Sequence, residues 1–222
     1  QRTLGLSHAT VAHPNQPRRQ TRDDIDRMLL SQFLKRRSVP FGQHLGDRSE
    51  IADDDLAEIF LRDALPVLGE VVFAFSTLEK MLTRHLCEVI NDRSDEPGLI
   101  VLQGLMYRSR VELFDRLSQS FLCSAAPQAE HPAHALIGPL LAELRDVGEL
   151  RNRVVHADWS SIDDQGFVFV RVNMKASGLQ EEHMQVDAES LNALVGRIVG
   201  ATVDFDAYSA AREGLTGAAR AG

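Results

Sequence analysis

Apolar residues recur at helical spacing along most of the chain. From about Asp53 to Asn91, Leu56, Ile59, Phe60, Leu68, Val71, Val72, Phe75, Leu78, Leu82, Leu86 and Val89 keep a period near 3.6, which predicts one long amphipathic helix. Pro66 lies inside it and is expected to kink or divide it, because proline removes a backbone donor. A second helical stripe runs from Leu99 to Leu122 through Leu102, Met106, Leu113, Leu117 and Phe121. "SAAPQAEHP" interrupts the pattern, and a third stripe follows from Ala133 to His156.

Beyond His156 the period changes. "FVFVRVNM" (Phe167–Met174) alternates and is rich in β-branched and aromatic residues, the signature of a strand, after the turn signal "DDQG". "EEHMQVD" (Glu181–Asp187) is its expected hairpin partner across "KASGLQ". A last helix is expected from Ala188 to about Tyr208, with Leu191, Leu194, Val195, Ile198 and Val199 on one face. The pattern as a whole predicts an all-α domain: an up-down four-helix bundle with a small β-hairpin inserted before the last long helix.

The N-terminal residues follow a different rule. Residues 1–20 lack an apolar pattern. From Thr21 a short amphipathic helix is expected, with Ile25, Met28, Leu29 and Phe33 on one face and Lys35, Arg36 and Arg37 at its negative end. "SVPFGQHLGDRSE" (Ser38–Glu50) reads as a linker. The expected organisation is a flexible tail with a short helix over 1–50, a helical domain over 51–210 and a disordered tail over 211–222.

Composition narrows the function classes. With 44% apolar and 25% charged residues the chain reads as an ordinary soluble globular protein. There is no run of about 18 apolar residues to cross a membrane, and the first 20 residues lack the apolar stretch of a signal peptide. Cys87 and Cys123 both fall in apolar helical patterns and read as buried thiols in a reducing cytoplasm. The net charge of −8 is uneven: residues 1–50 carry +4 and the rest −12. An acidic body argues against broad coating of nucleic acid and leaves room for a local phosphate site.

The polar residues of "LRNRVVHADW" (Leu150–Trp159) carry the candidate chemistry. Stepping along the third helix through Leu140, Leu144 and Val147, then by four to Arg151 and by three to Val154, places Arg151 on the apolar stripe, where a guanidinium needs a partner. One reading is an ion pair with a buried acid such as Glu79. Another is a groove in which a phosphate supplies the negative charge. Asn152 and His156 are four apart and share a face. A cation, an amide and an imidazole within a turn and a half suit a phosphate, and equally suit a helix C-terminus.

"RNRVVHADW", late in a long helix, resembles the Arg-polar-x-x-x-His signature of the HEPN superfamily. "FSTLEKMLTRHL" (Phe75–Leu86) on an upstream helix and the following Trp and hairpin add to the likeness, which spans roughly residues 53–208. The resemblance implies metal-independent RNA cleavage, without a cofactor, at a composite site formed by two copies of the motif across a homodimer. Such members act in toxin–antitoxin or phage-defence systems, which adds an antitoxin protein as a possible partner; other members bind nucleotides or proteins without cleaving. By motif position, Arg151 would hold the scissile phosphate, His156 would activate the ribose 2′-hydroxyl or protonate the leaving oxygen, and Asn152 would orient either. Arg153, Glu79, Arg84, His85 and Trp159 are candidates for the surrounding shell. Each also has a plain structural reading: Glu79, Arg84 and His85 as solvated helix-face charges, Arg153 in a salt bridge, and Trp159 packed over the helix end.

Other signals are weak. His131 and His134 are three apart with no paired Cys or acid, so no metal site is expected. No glycine-rich phosphate loop or nucleophile elbow is present. The Arg-rich N-terminal segment reads as a solvated arm that could touch RNA.

Overall fold

The computed structural model describes residues 34–42, 55–125 and 131–221. Five helices dominate: α1 (Asp55–Ile90), α2 (Glu96–Leu102), α3 (Tyr107–Ala125), α4 (Pro132–Val155) and α5 (Ala188–Ala221). Strands β1 (Arg36–Pro40), β2 (Phe167–Lys175) and β3 (Gly178–Gln185) form a small antiparallel sheet in the order β1-β3-β2. No helix among the described residues is long and apolar enough to cross a membrane.

Helix α1 keeps the expected bounds but is continuous through Pro66, whose ring is exposed. Its buried stripe (Val71, Phe75, Leu78, Leu82 and Leu86) lies in the main core with Leu140, Leu144, Val147 and Val154 of α4 and Leu191, Leu194, Ile198 and Phe205 of α5. The single helix expected over Leu99–Leu122 is two. Gly104 at φ 78° lies in the left-handed region and ends the first piece, a conformation that glycine reaches without a Cβ clash. Helix α2 folds back onto α1 at Gly98, where an added Cβ would sit 2.5 Å from the Cα of Cys87. Cys87 is accordingly buried, whereas Cys123, also expected inside, is exposed.

Two ring pairs give the relative direction of α1 and α3. Phe75 meets Tyr107 at 4.7 Å between centroids, and ten residues later His85 meets Phe114 at 5.4 Å. The two helices run the same way, with α2 making the return, so strict up-down alternation does not hold between them.

The sheet corrects the N-terminal expectation. Arg36 and Arg37, assigned to a helix end, and Ser38–Pro40, assigned to a linker, form strand β1, paired with β3 from Arg36 opposite Met184 to Pro40 opposite Gln180. The proline is tolerated because β1 is an edge strand. Leu34 is buried in the core just ahead of it, and Arg37 reaches Asp163 at 2.7 Å. Residues 21–33 lie outside the described residues. The hairpin turn is tighter than expected: Lys175 pairs with Gly178 at φ 101°, leaving Ala176 and Ser177 as a two-residue loop. Helix α5 continues past Tyr208 to Ala221, so the segment expected as a disordered tail from 211 is helical to that point.

Candidate functional site

Helix α4 carries the motif. The Nδ1 of His131 accepts from the backbone N–H of Ala133 at 3.3 Å, capping the helix start, and Pro132 occupies the first turn. That ring nitrogen therefore serves as a cap, and no cluster of three or more potential metal ligands occurs among the described residues. At the other end His156 leaves the helical region at φ −100°, ψ 6°, while its N–H still donates to Asn152 O at 3.1 Å. The Trp159 indole N–H donates to the Val154 carbonyl at 3.0 Å, satisfying one of the orphan acceptors of the last turn. Trp159 thus packs over the helix end, half-buried against the core.

The apolar seam of α4 differs from the expected one. From Val147 it steps by three to Leu150, at 1% exposure, and then by four to Val154. Arg151 lies beside the seam, half-buried, with its guanidinium 5.1 Å from the centroid of the Phe75 ring. Its Nη1 donates to Asn152 Oδ1 at 3.0 Å, while its Nε is buried without a partner. The acid suggested for it, Glu79, pairs instead with Arg110 of α3 at 3.4 Å.

Arg153 is the buried arginine, at 8% exposure. It ion-pairs with Glu149 one turn back and with Glu182 of β3 at 2.6 Å. Glu182 also accepts from Arg171 Nε at 2.9 Å and Asn173 Nδ2 at 2.8 Å. Burial alone would raise its pKa, but Arg153 and these donors hold the carboxyl below its ordinary value. This network ties the sheet to the end of the motif helix.

Between α3, α4 and β2 lies a cleft of about 630 Å³. Asn152 and Arg153 line it from α4, His156 from the cap position just after it, Tyr107 and Arg108 from α3, and Val170 and Arg171 from β2. Arg145, Gly148 and Glu149 complete the α4 wall, and Val111 and Glu112 that of α3. The Tyr107 hydroxyl donates to Leu144 O at 3.0 Å, and burial drives its pKa upward. At Gly148 an added Cβ would lie 2.5 Å from the Tyr107 ring, so only glycine admits this packing. Arg108 pairs with Glu112 at 3.1 Å and Arg145 with Asp115 at 2.6 Å. A concave site with four converging arginines, two lining glutamates and an otherwise acidic chain around it can take an anionic ligand.

The structure therefore brings Asn152, Arg153 and His156 into one cleft and sets Arg151 beside Asn152. It places the other candidates elsewhere. Arg84 is exposed and pairs with Glu88 at 2.9 Å. His85, read as a solvated helix-face residue, is buried at 5% exposure among Phe114, Phe205 and Tyr208, and burial lowers its pKa to about 4. Sequence reasoning missed Tyr107, Arg108, Arg145, Gly148 and Arg171. Arg171 alone left a signal, as a charged residue interrupting an apolar strand. No family model, curated protein or solved structure matches this chain.

Proposed function

We propose that the chain is a metal-independent endoribonuclease of the HEPN type, acting in the cytoplasm as part of a toxin–antitoxin or phage-defence system. The observation that carries this reading is the convergence of Asn152 and His156 on one cleft lined by four arginines and two glutamates, with the Arg151 guanidinium bonded to Asn152 at its edge. The likeness also brings a four-helix bundle with it, which α1, α3, α4 and α5 would compose.

The chemistry is a transesterification. The ribose 2′-oxygen attacks the adjacent phosphorus, the bond to the 5′-oxygen breaks, and the products are a 2′,3′-cyclic phosphate and a 5′-hydroxyl. One proton leaves the 2′-hydroxyl and one must reach the 5′-oxygen. In a homodimer that joins two cleft edges, His156 of each copy would take one of these roles. Arg151 would exchange its bond to Asn152 for the phosphate, whose charge grows in the transition state. The 2′-hydroxyl is the nucleophile, so DNA is refractory. The test is product analysis on an RNA with a single 2′-deoxy substitution. Loss of cleavage at that position with a cyclic phosphate elsewhere supports the reading, and cleavage at the deoxy position overturns it.

One observation favours a second reading, a non-catalytic nucleotide- or protein-binding module. Arg151 is already engaged with Phe75 and Asn152 and is not among the residues lining the cleft. That reading expects ligand-dependent stabilisation without turnover.

A further inference from the structure

The two walls of the cleft hold their positive charge differently. On the helical wall Arg108 and Arg145 each have a carboxylate of their own, Glu112 and Asp115. Where α4 meets the sheet, Arg153 of the helix and Arg171 of β2 share Glu182, one on each oxygen. Glu149 adds a second carboxylate and Arg36 of β1 a third guanidinium, whose charged form burial, Arg153 and Arg171 disfavour and Glu182 and Glu149 favour, with a net lowering of its pKa. Three guanidiniums thus face two carboxylates. Arg153, its side chain 9% exposed, keeps a buried Nε without a partner. Arg171 meets Glu182 only through Nε, so its two terminal nitrogens remain for the cleft.

Strand geometry explains how Arg171 reaches this position. Successive side chains of a regular strand point to opposite faces. Val170 and Arg171 nevertheless both line the cleft. The register of β2 against β3 shifts between Phe169, opposite His183, and Arg171, opposite Glu182, which is a β-bulge. A bulge re-aims the side chain that follows it. Without it, Arg171 would share a face with Phe169 and point away from Val170.

We propose that Arg171 is a second phosphate anchor of the cleft, binding the backbone phosphate of single-stranded RNA next to the one at Asn152 and His156, with Glu182 as the positioning residue that aims it. This rests on the RNA reading above, but concerns binding and can be read without turnover. A fluorescent 2′-O-methyl RNA oligonucleotide, which cannot undergo attack by its own 2′-oxygen, serves as the probe, and anisotropy titrations are run over a range of KCl concentrations. The expected result is that Arg171→Ala weakens binding several-fold and lowers the magnitude of the log K against log salt slope by about 0.7, the value for one phosphate on a single strand. Arg171→Lys should restore most of the slope. A merely structural arginine would shift the urea midpoint and leave the slope unchanged. Absence of wild-type binding, or an unchanged slope in Arg171→Ala, overturns the proposal. Arg171-dependent binding by a protein that cleaves no RNA leaves this anchor standing and removes only the catalytic reading.

Discussion

Arg153 of α4 and Glu182 of β3 meet at 2.6 Å, with side chains 9% and 12% exposed. The pair joins the end of the motif helix to the hairpin that walls the cleft, so one contact links the stability of the fold to the shape of the cleft. Removing one partner of a buried ion pair leaves the other charge without compensation.

Arg153→Ala is expected to lower stability by about 3 kcal/mol, the lower end of the usual range because Glu182 keeps Arg171 and Asn173. Arg151→Ala should cost no more than about 1 kcal/mol, the scale of a half-exposed cation–π contact. Urea denaturation of the two variants checks the contrast, and the reverse order would return Arg151 to the core.

That contrast marks where the sequence was ambiguous. From Val147 a helical seam can continue by three to Leu150 or by four to Arg151, and the periodicity allows both steps. The structure takes the apolar one, as burial energetics favour, and the buried cation is then Arg153, two positions on. The long helices α1, α4 and α5 and the hairpin were legible because their periods are sustained over many residues. Strand β1 was not: five residues reading "RRSVP" resemble a basic helix end until β3 offers an edge. The division of the second helix was written only in Gly104, whose positive φ the sequence does not announce. Within the site, Asn152 and His156 followed from their spacing. Tyr107 and Gly148 did not, since their contact joins residues distant in sequence.

Gly148→Ala should destabilise the protein by about 1 to 3 kcal/mol, although alanine is the better helix former. The Tyr107 ring cannot easily retreat, because its hydroxyl is bound to Leu144 O and its ring centroid lies 4.7 Å from that of Phe75. Thermal unfolding beside a Gly196→Ala control, where nothing lies within 4 Å of the added Cβ, separates the clash from helix propensity. Equal effects at both positions would show that Tyr107 gives way.

His85 imposes a pH dependence of known sign. Burial, assisted by Arg212, lowers its pKa from 6.5 to about 4 in the folded state. The unfolded chain therefore binds a proton before the folded one does. Its contribution is complete above about 6.5 and lost as pH falls from there toward about 4, roughly 3 kcal/mol in all. Melting temperatures of wild type and His85→Phe across this window should diverge, the wild type falling faster on acidification. Parallel curves would place the titration on other groups.

Arg151 and His156 are proposed to cleave RNA without a metal. The most direct test of this proposal is the single-turnover cleavage rate of wild type, Arg151→Ala and His156→Ala on a single-stranded RNA in excess EDTA. Wild-type cleavage should persist in EDTA, and each substitution should lower the rate by about 100-fold or more, with Arg151→Ala still folded. Equal rates for all three proteins, or loss of wild-type cleavage on chelation, would contradict it.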